Sequence, residues 1–158
     1  MLVGCALLGG GLAIRYLFVT SPDQKAVDDA PRITDTAFEH KAIAVCTQYQ
    51  HTFHTASTLG DDPSESQAGS FLEGIANTFD ALVAQLSDIP VAPADQPAVN
   101  QWLSEWAQYD QFGHQYASAV SSGSEDQLIR SGAATEGRLR RDRNAFATAN
   151  HMGACVFN

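Results

Sequence analysis

The sequence predicts an all-α protein: an N-terminal transmembrane helix followed by an antiparallel four-helix bundle with one disulfide. Three observations carry this expectation. The first twenty residues are apolar apart from Arg15 and Thr20. Four later stretches repeat apolar residues every three or four positions and are separated by short breaks rich in Gly, Pro and Asp. Two cysteines, Cys46 and Cys155, lie far apart in this more polar remainder.

The opening segment (residues 1–20) is read as an uncleaved anchor. Its apolar run, Leu2 to Val19, is close to the roughly 20 residues that span a bilayer, and Arg15 and Tyr16 sit near enough to its end to reach the head groups. A cleaved signal peptide lacks support, because no basic region precedes the run and no small-x-small site follows it. Cys5, in Leu2-Val3-Gly4-Cys5, has a lipobox-like setting but no leader before it. The missing basic flank points to a start further upstream, so orientation rests on the cysteines, which favour an oxidising, extracytoplasmic compartment. Residues 21–33, with two prolines, three aspartates and no amphipathic repeat, read as a stalk.

Residues 34–158 then form the bundle domain, large enough for one core and too small for two. The first helix is expected from Asp35 to Thr58, with Thr36 and Glu39 as a capping box. Its stripe is Phe38, Ala42, Val45 or Cys46, Tyr49 and Phe53, and Gly60-Asp61-Asp62 ends it. The second has Asp62 as N-cap, Pro63 as first residue and Glu65 as the reciprocal partner. Its seam is Leu72, Ile75, Phe79, Leu82 and Leu86, flanked by Phe71 and Val83. A proline-rich connector over residues 89–97 leads to the third helix, which runs to about Ser122 and carries Val99, Trp102, Leu103, Trp106, Tyr109, Phe112, Tyr116 and Val120. Both tryptophans read as core, and Gly113 as a point of close helix approach. Gly123 breaks the chain, Ser124 and Gln127 form a capping box, and the fourth helix continues to about Asn150 with Leu128, Gly132, Thr135, Leu139 and Phe146 inward. Short loops favour up-down-up-down order.

Cys46 and Cys155, separated by 109 positions, are expected to form the disulfide; without a CxxC motif, thiol–disulfide exchange chemistry is not indicated. Eighteen acids against nine bases argue against nucleic-acid binding, which needs a basic footprint. His40, His51 and His54 point away from the first helix's stripe, and no Glu-x-x-His pair, CxxCH, G-x-S-x-G or P-loop pattern occurs, so no metal, haem, nucleophile or nucleotide site is expected. Arg138, Arg140, Arg141 and Arg143 span almost two turns and suggest a strip for docking a partner or acidic lipid, against the plainer reading of pairing with nearby acids such as Glu136.

A cysteine within the first helix (Ala42 to Cys46), a Leu-x-x-Ile-Pro connector (Leu86 to Pro90), Val-x-x-Trp-Leu (Val99 to Leu103), Gly123 and a terminal Gly-x-Cys (Gly153 to Cys155) together resemble uncharacterised membrane-anchored helical proteins of actinobacterial cell envelopes. The resemblance spans residues 38–155 and implies no catalytic residues or cofactor. The expected function is therefore non-enzymatic: an anchored extracytoplasmic accessory subunit of a larger membrane protein complex. The competing expectation is a small-molecule- or metal-binding bundle with a polar pocket near Glu73, Tyr109 or His114.

Overall fold

The computed structural model describes residues 23–55 and 63–157. The predicted transmembrane segment (1–20), Cys5, and the Gly60-Asp61-Asp62 break lie outside the described residues. Among the described residues no helix is long and apolar enough to cross a membrane. These residues are all-helical: α1 (Gln24–Asp29), α2 (Thr36–Thr55), α3 (Glu65–Ser87), α4 (Gln96–Ser121), α5 (Glu125–Ala149) and a final 3-10 turn (Gly153–Cys155).

Successive long helices run antiparallel. Tyr49 meets Gln85 and Phe53 meets Phe79 across α2 and α3. Phe79 reaches Trp106, and Glu73 meets His114, across α3 and α4. Trp102 stacks on Phe146, and Phe112 lies against Gly132, across α4 and α5. The 3-10 turn packs against both α2 and α5. Cys46 and Cys155 are bonded with their Cα atoms 5.0 Å apart, as the cysteine pattern predicts. Phe38, Cys46, Leu82, Leu86, Trp102, Trp106, Phe146, Met152 and Cys155 make one continuous core, so both tryptophans are core residues.

Residues 23–33 of the segment read as a stalk are instead built into the fold. Asp23 Oδ1 accepts from the Lys25 backbone N–H at 3.0 Å and starts α1. Val27 then buries against Ala145 and Ala149 of α5. A six-residue helix with one buried side chain has no period to detect, which is why the sequence pattern misses it. Beyond α1, Ile33 enters the main core. Its N–H donates to Asn150 Oδ1 at 2.9 Å, and Asn150 Nδ2 donates to Pro31 O at 3.0 Å. Asp95 Oδ2 accepts from Thr34 N, Asp35 N and Thr34 Oγ1 at 2.9, 2.9 and 3.1 Å. In return Asp35 accepts from Phe38 N at 3.0 Å and from Ala92 N at 2.7 Å. These two aspartates clamp the start of α2 to the connector before α4.

The helix ends correct several expected caps. Asp35 caps α2 through Phe38 N, where Thr36 and Glu39 were expected. Ser64, paired with Gln67 in a capping box, starts α3 in place of Asp62 and Glu65. Ser124 precedes α5 but turns its hydroxyl to Ser122 and Ala119 O instead of Gln127 N. Gly123, with φ at +65°, makes the turn that the sequence assigns to it. At the end of α5 a Schellman closure forms, with Met152 N donating to Ala147 O at 2.8 Å and His151 N to Thr148 O at 3.2 Å. His151 occupies the left-handed position at φ 58°.

The α3 seam also differs from expectation. Leu82 and Leu86 are buried, but Phe71, Leu72, Ile75 and Phe79 are only partly so, and Ala68, Gly69 and Ala76 are the buried residues of the first half. Small residues win there because α3 and α4 approach closely: a Cβ on Gly69 would lie 2.9 Å from Ala117 O and 2.8 Å from Ser121 Cβ. Gly113 is not that contact point, since a Cβ there would meet Ala76 at an ordinary 3.6 Å.

Candidate metal centre

Close packing of α3 on α4 brings four chemically capable side chains together. Glu73 and Asp80 are seven apart on α3; Asp110 and His114 are four apart on α4. Each spacing returns to the same helical face. His114 Nδ1 lies 2.9 Å from Glu73 Oε1, and Nε2 lies 3.1 Å from Asp80 Oδ2 and 3.9 Å from Asp110 Oδ2. One donor atom from each of Asp80, Asp110 and His114 falls within 4.8 Å of the others.

The four groups differ in setting. Asp110 is 6% exposed, whereas Glu73 and Asp80 are exposed and His114 is half-buried. Desolvation, then the hydrogen bond and charge of Asp80, push the Asp110 carboxyl up to about 7, with His114 offsetting part of the effect. Asp80 is correspondingly lowered, chiefly by the hydrogen bond it accepts from Asp110. For His114, desolvation is the largest single influence and lowers its pKa. The hydrogen bonds and charges of Glu73, Asp80 and Asp110 outweigh it and leave the imidazole above its ordinary value. Asp110 Oδ1 is buried and has no hydrogen-bond partner. Two carboxylates and an imidazole at this spacing need positive charge, from protons or from a bound cation.

The arrangement matches the requirements of a divalent cation. Glu73 at Nδ1 orients the ring and leaves Nε2 facing the two aspartates, as a carboxylate behind a ligating histidine does. Donors at ordinary bond lengths from one ion stand at most ~4.3 Å apart, and Nε2 of His114 lies within that distance of both Asp80 Oδ2 and Asp110 Oδ2. One imidazole with carboxylate oxygens suits a borderline ion such as Zn²⁺ or Mn²⁺.

The residues singled out in the sequence are distributed differently. Glu73 and His114 meet as the pocket expectation requires, but Tyr109 turns away. Its ring lies 3.9 Å from the Arg143 guanidinium, which Trp106 covers on another side at 4.0 Å. Arg143 is therefore no docking residue. It is 1% exposed and donates through Nη2 to Phe157 O at 3.0 Å, while Nε and Nη1 have no partner. Burial lowers its pKa to about 10. Arg138 and Arg141 both pair with Asp142, at 3.3 and 3.0 Å, and Arg140 pairs with Glu136 at 3.7 Å. The arginine strip is thus broken up by burial and local acids. His40 and His51 are exposed on α2, and the side chain of His54 lies outside the described set. Asp80 and Asp110 are the site residues that sequence reasoning missed. The available signal was Asp-x-x-x-His on one predicted helix and a Glu seven residues before an Asp on its neighbour.

Comparison with protein-family models, with curated proteins and with solved structures finds no match.

Proposed function

We propose that this protein is a disulfide-locked helical module that binds a divalent cation between α3 and α4. Asp80, Asp110 and His114 are the ligands, and Glu73 orients the imidazole. The observation that carries the reading is the convergence of those three donors within 4.8 Å, behind which Asp110 is buried with an unpartnered oxygen. The role is binding, not catalysis. Its setting is an extracytoplasmic one, tethered by the apolar N-terminal segment as an accessory subunit of a membrane protein complex. The Cys46–Cys155 bond supports that setting, because persistent disulfides belong to oxidising compartments. Arg143 is buried and Arg138, Arg140 and Arg141 have acidic neighbours, so the cation site and not the arginine strip carries this reading.

Isothermal titration of the oxidised full chain with Zn²⁺ and with Mn²⁺ tests the cation site. One saturable site is expected, weakened roughly tenfold or more by Asp110→Asn and by His114→Ala, with helicity retained in both. Heats that never saturate, or variants that bind like the parent, would sink the proposal. Mild-detergent purification from native membranes tests the setting: a stoichiometric complex supports the accessory role, and a lone chain counts against it.

A further inference from the structure

A separate cleft of about 430 Å³ opens where α1, α4 and α5 meet. Ala26, Ala30, Pro31 and Ala98 supply its accessible apolar lining, next to the buried Trp102 and Phe146, and Gln101 and Glu105 of α4 supply polar groups, with Asp29 and Asp142 also among its lining residues. Its volume lies within the range of small-ligand sites.

The charges around it are unevenly matched. Lys25 is committed to Asp29, and Arg138 and Arg141 to Asp142. Glu105 is 9% exposed and has no ion-pair partner among the described residues. Gln101 Nε2 donates to its Oε1 at 3.1 Å. A carboxylate so placed bears the cost of lost hydration without a cation to offset it. Desolvation holds its carboxyl above the usual range, and the nearby Asp142 adds to this more than Arg138 relieves it.

We propose that this cleft is a binding site for a small organic cation, a primary ammonium on a short apolar body, with the charge on Glu105 and the body against Ala26, Ala30 and Ala98. A hard metal ion fits it poorly, because the neighbouring carboxylates Asp29 and Asp142 are already paired with Lys25 and with Arg138 and Arg141. An ammonium needs only one charge partner and two or three acceptors.

The test uses benzylamine on the oxidised full chain, followed by amide and indole NMR shifts, with benzyl alcohol as the uncharged isostere. Saturable shifts at Gln101, Glu105 and the Trp102 indole N–H are expected at millimolar benzylamine. Benzyl alcohol is expected to bind roughly tenfold or more weakly, and Glu105→Gln to reduce benzylamine affinity by a similar factor. Equal binding of the two compounds, parent-like affinity in Glu105→Gln, or shifts spread over all acidic faces would overturn the proposal. The comparison of the two compounds needs only the parent chain, so it decides even if the variant misfolds. Asp110→Asn is expected to keep benzylamine binding, which separates failure here from failure of the α3–α4 cation site.

Discussion

Three buried polar residues show how differently one side chain can be satisfied. Asp95 is buried with three donors on a single oxygen. Removing such an acceptor strands its donors, at about 1–3 kcal/mol for a buried group left unpaired. Arg143 has two ring faces and one carbonyl, and its remaining nitrogens go without partners. Glu105 lies between these cases, and its burial has a testable sign. Below the ordinary glutamate value of 4.5 it is protonated in both folded and unfolded chains and contributes no pH dependence. As pH rises the unfolded chain ionises first, so stability is lost from about 4.5 up to the raised folded value, and the loss persists above it. Glu105→Gln is therefore expected to raise the Tm at pH 7 and to leave it nearly unchanged at pH 4. Thermal melts at the two values check this, and an equal shift at both would show that the charge is not responsible.

At the scale of elements, the contact between α3 and α4 decides the most. The period of α3 is legible in sequence, but the large residues Phe71, Leu72 and Ile75 of its first half do not form the main seam. Ala68, Gly69 and Ala76 do, because only small side chains let the two backbones come close enough. Gly69→Ala is expected to cost about 1–3 kcal/mol, since backbone atoms at Ala117 cannot step aside as a side chain can. The neighbouring Gly74 has nothing within 4 Å of a built Cβ. There alanine is expected to stabilise by up to ~1 kcal/mol through helix propensity. Chemical denaturation of the two variants gives opposite signs if the close approach is real. Loosening that contact would also part Glu73 and Asp80 from Asp110 and His114, so Gly69→Ala is expected to weaken cation binding as well.

For the whole molecule, the Cys46–Cys155 bond ties the tail after α5 to the first long helix across 109 positions. It closes a loop containing nearly all of the bundle. Replacing both cysteines with serine is expected to lower stability by about 2–5 kcal/mol. Equilibrium denaturation measures this, and a loss below about 1 kcal/mol would mean that packing of Phe157 and Met152 holds the tail without the bond. What local pattern determines was available from the sequence alone: four long helices, the tryptophan core, the Gly123 turn and the cysteine pair. Apolar period, glycine turns and thiol count act within a few residues or need no geometry. The docking of α1, the Asp35–Asp95 clamp, the burial of Arg143 and the meeting of Glu73, Asp80, Asp110 and His114 were decided only by tertiary structure. Each depends on how far one helix is rotated about its axis against the next. That rotation is set by which small residues touch across the interface, and no single helix carries this information in its own period.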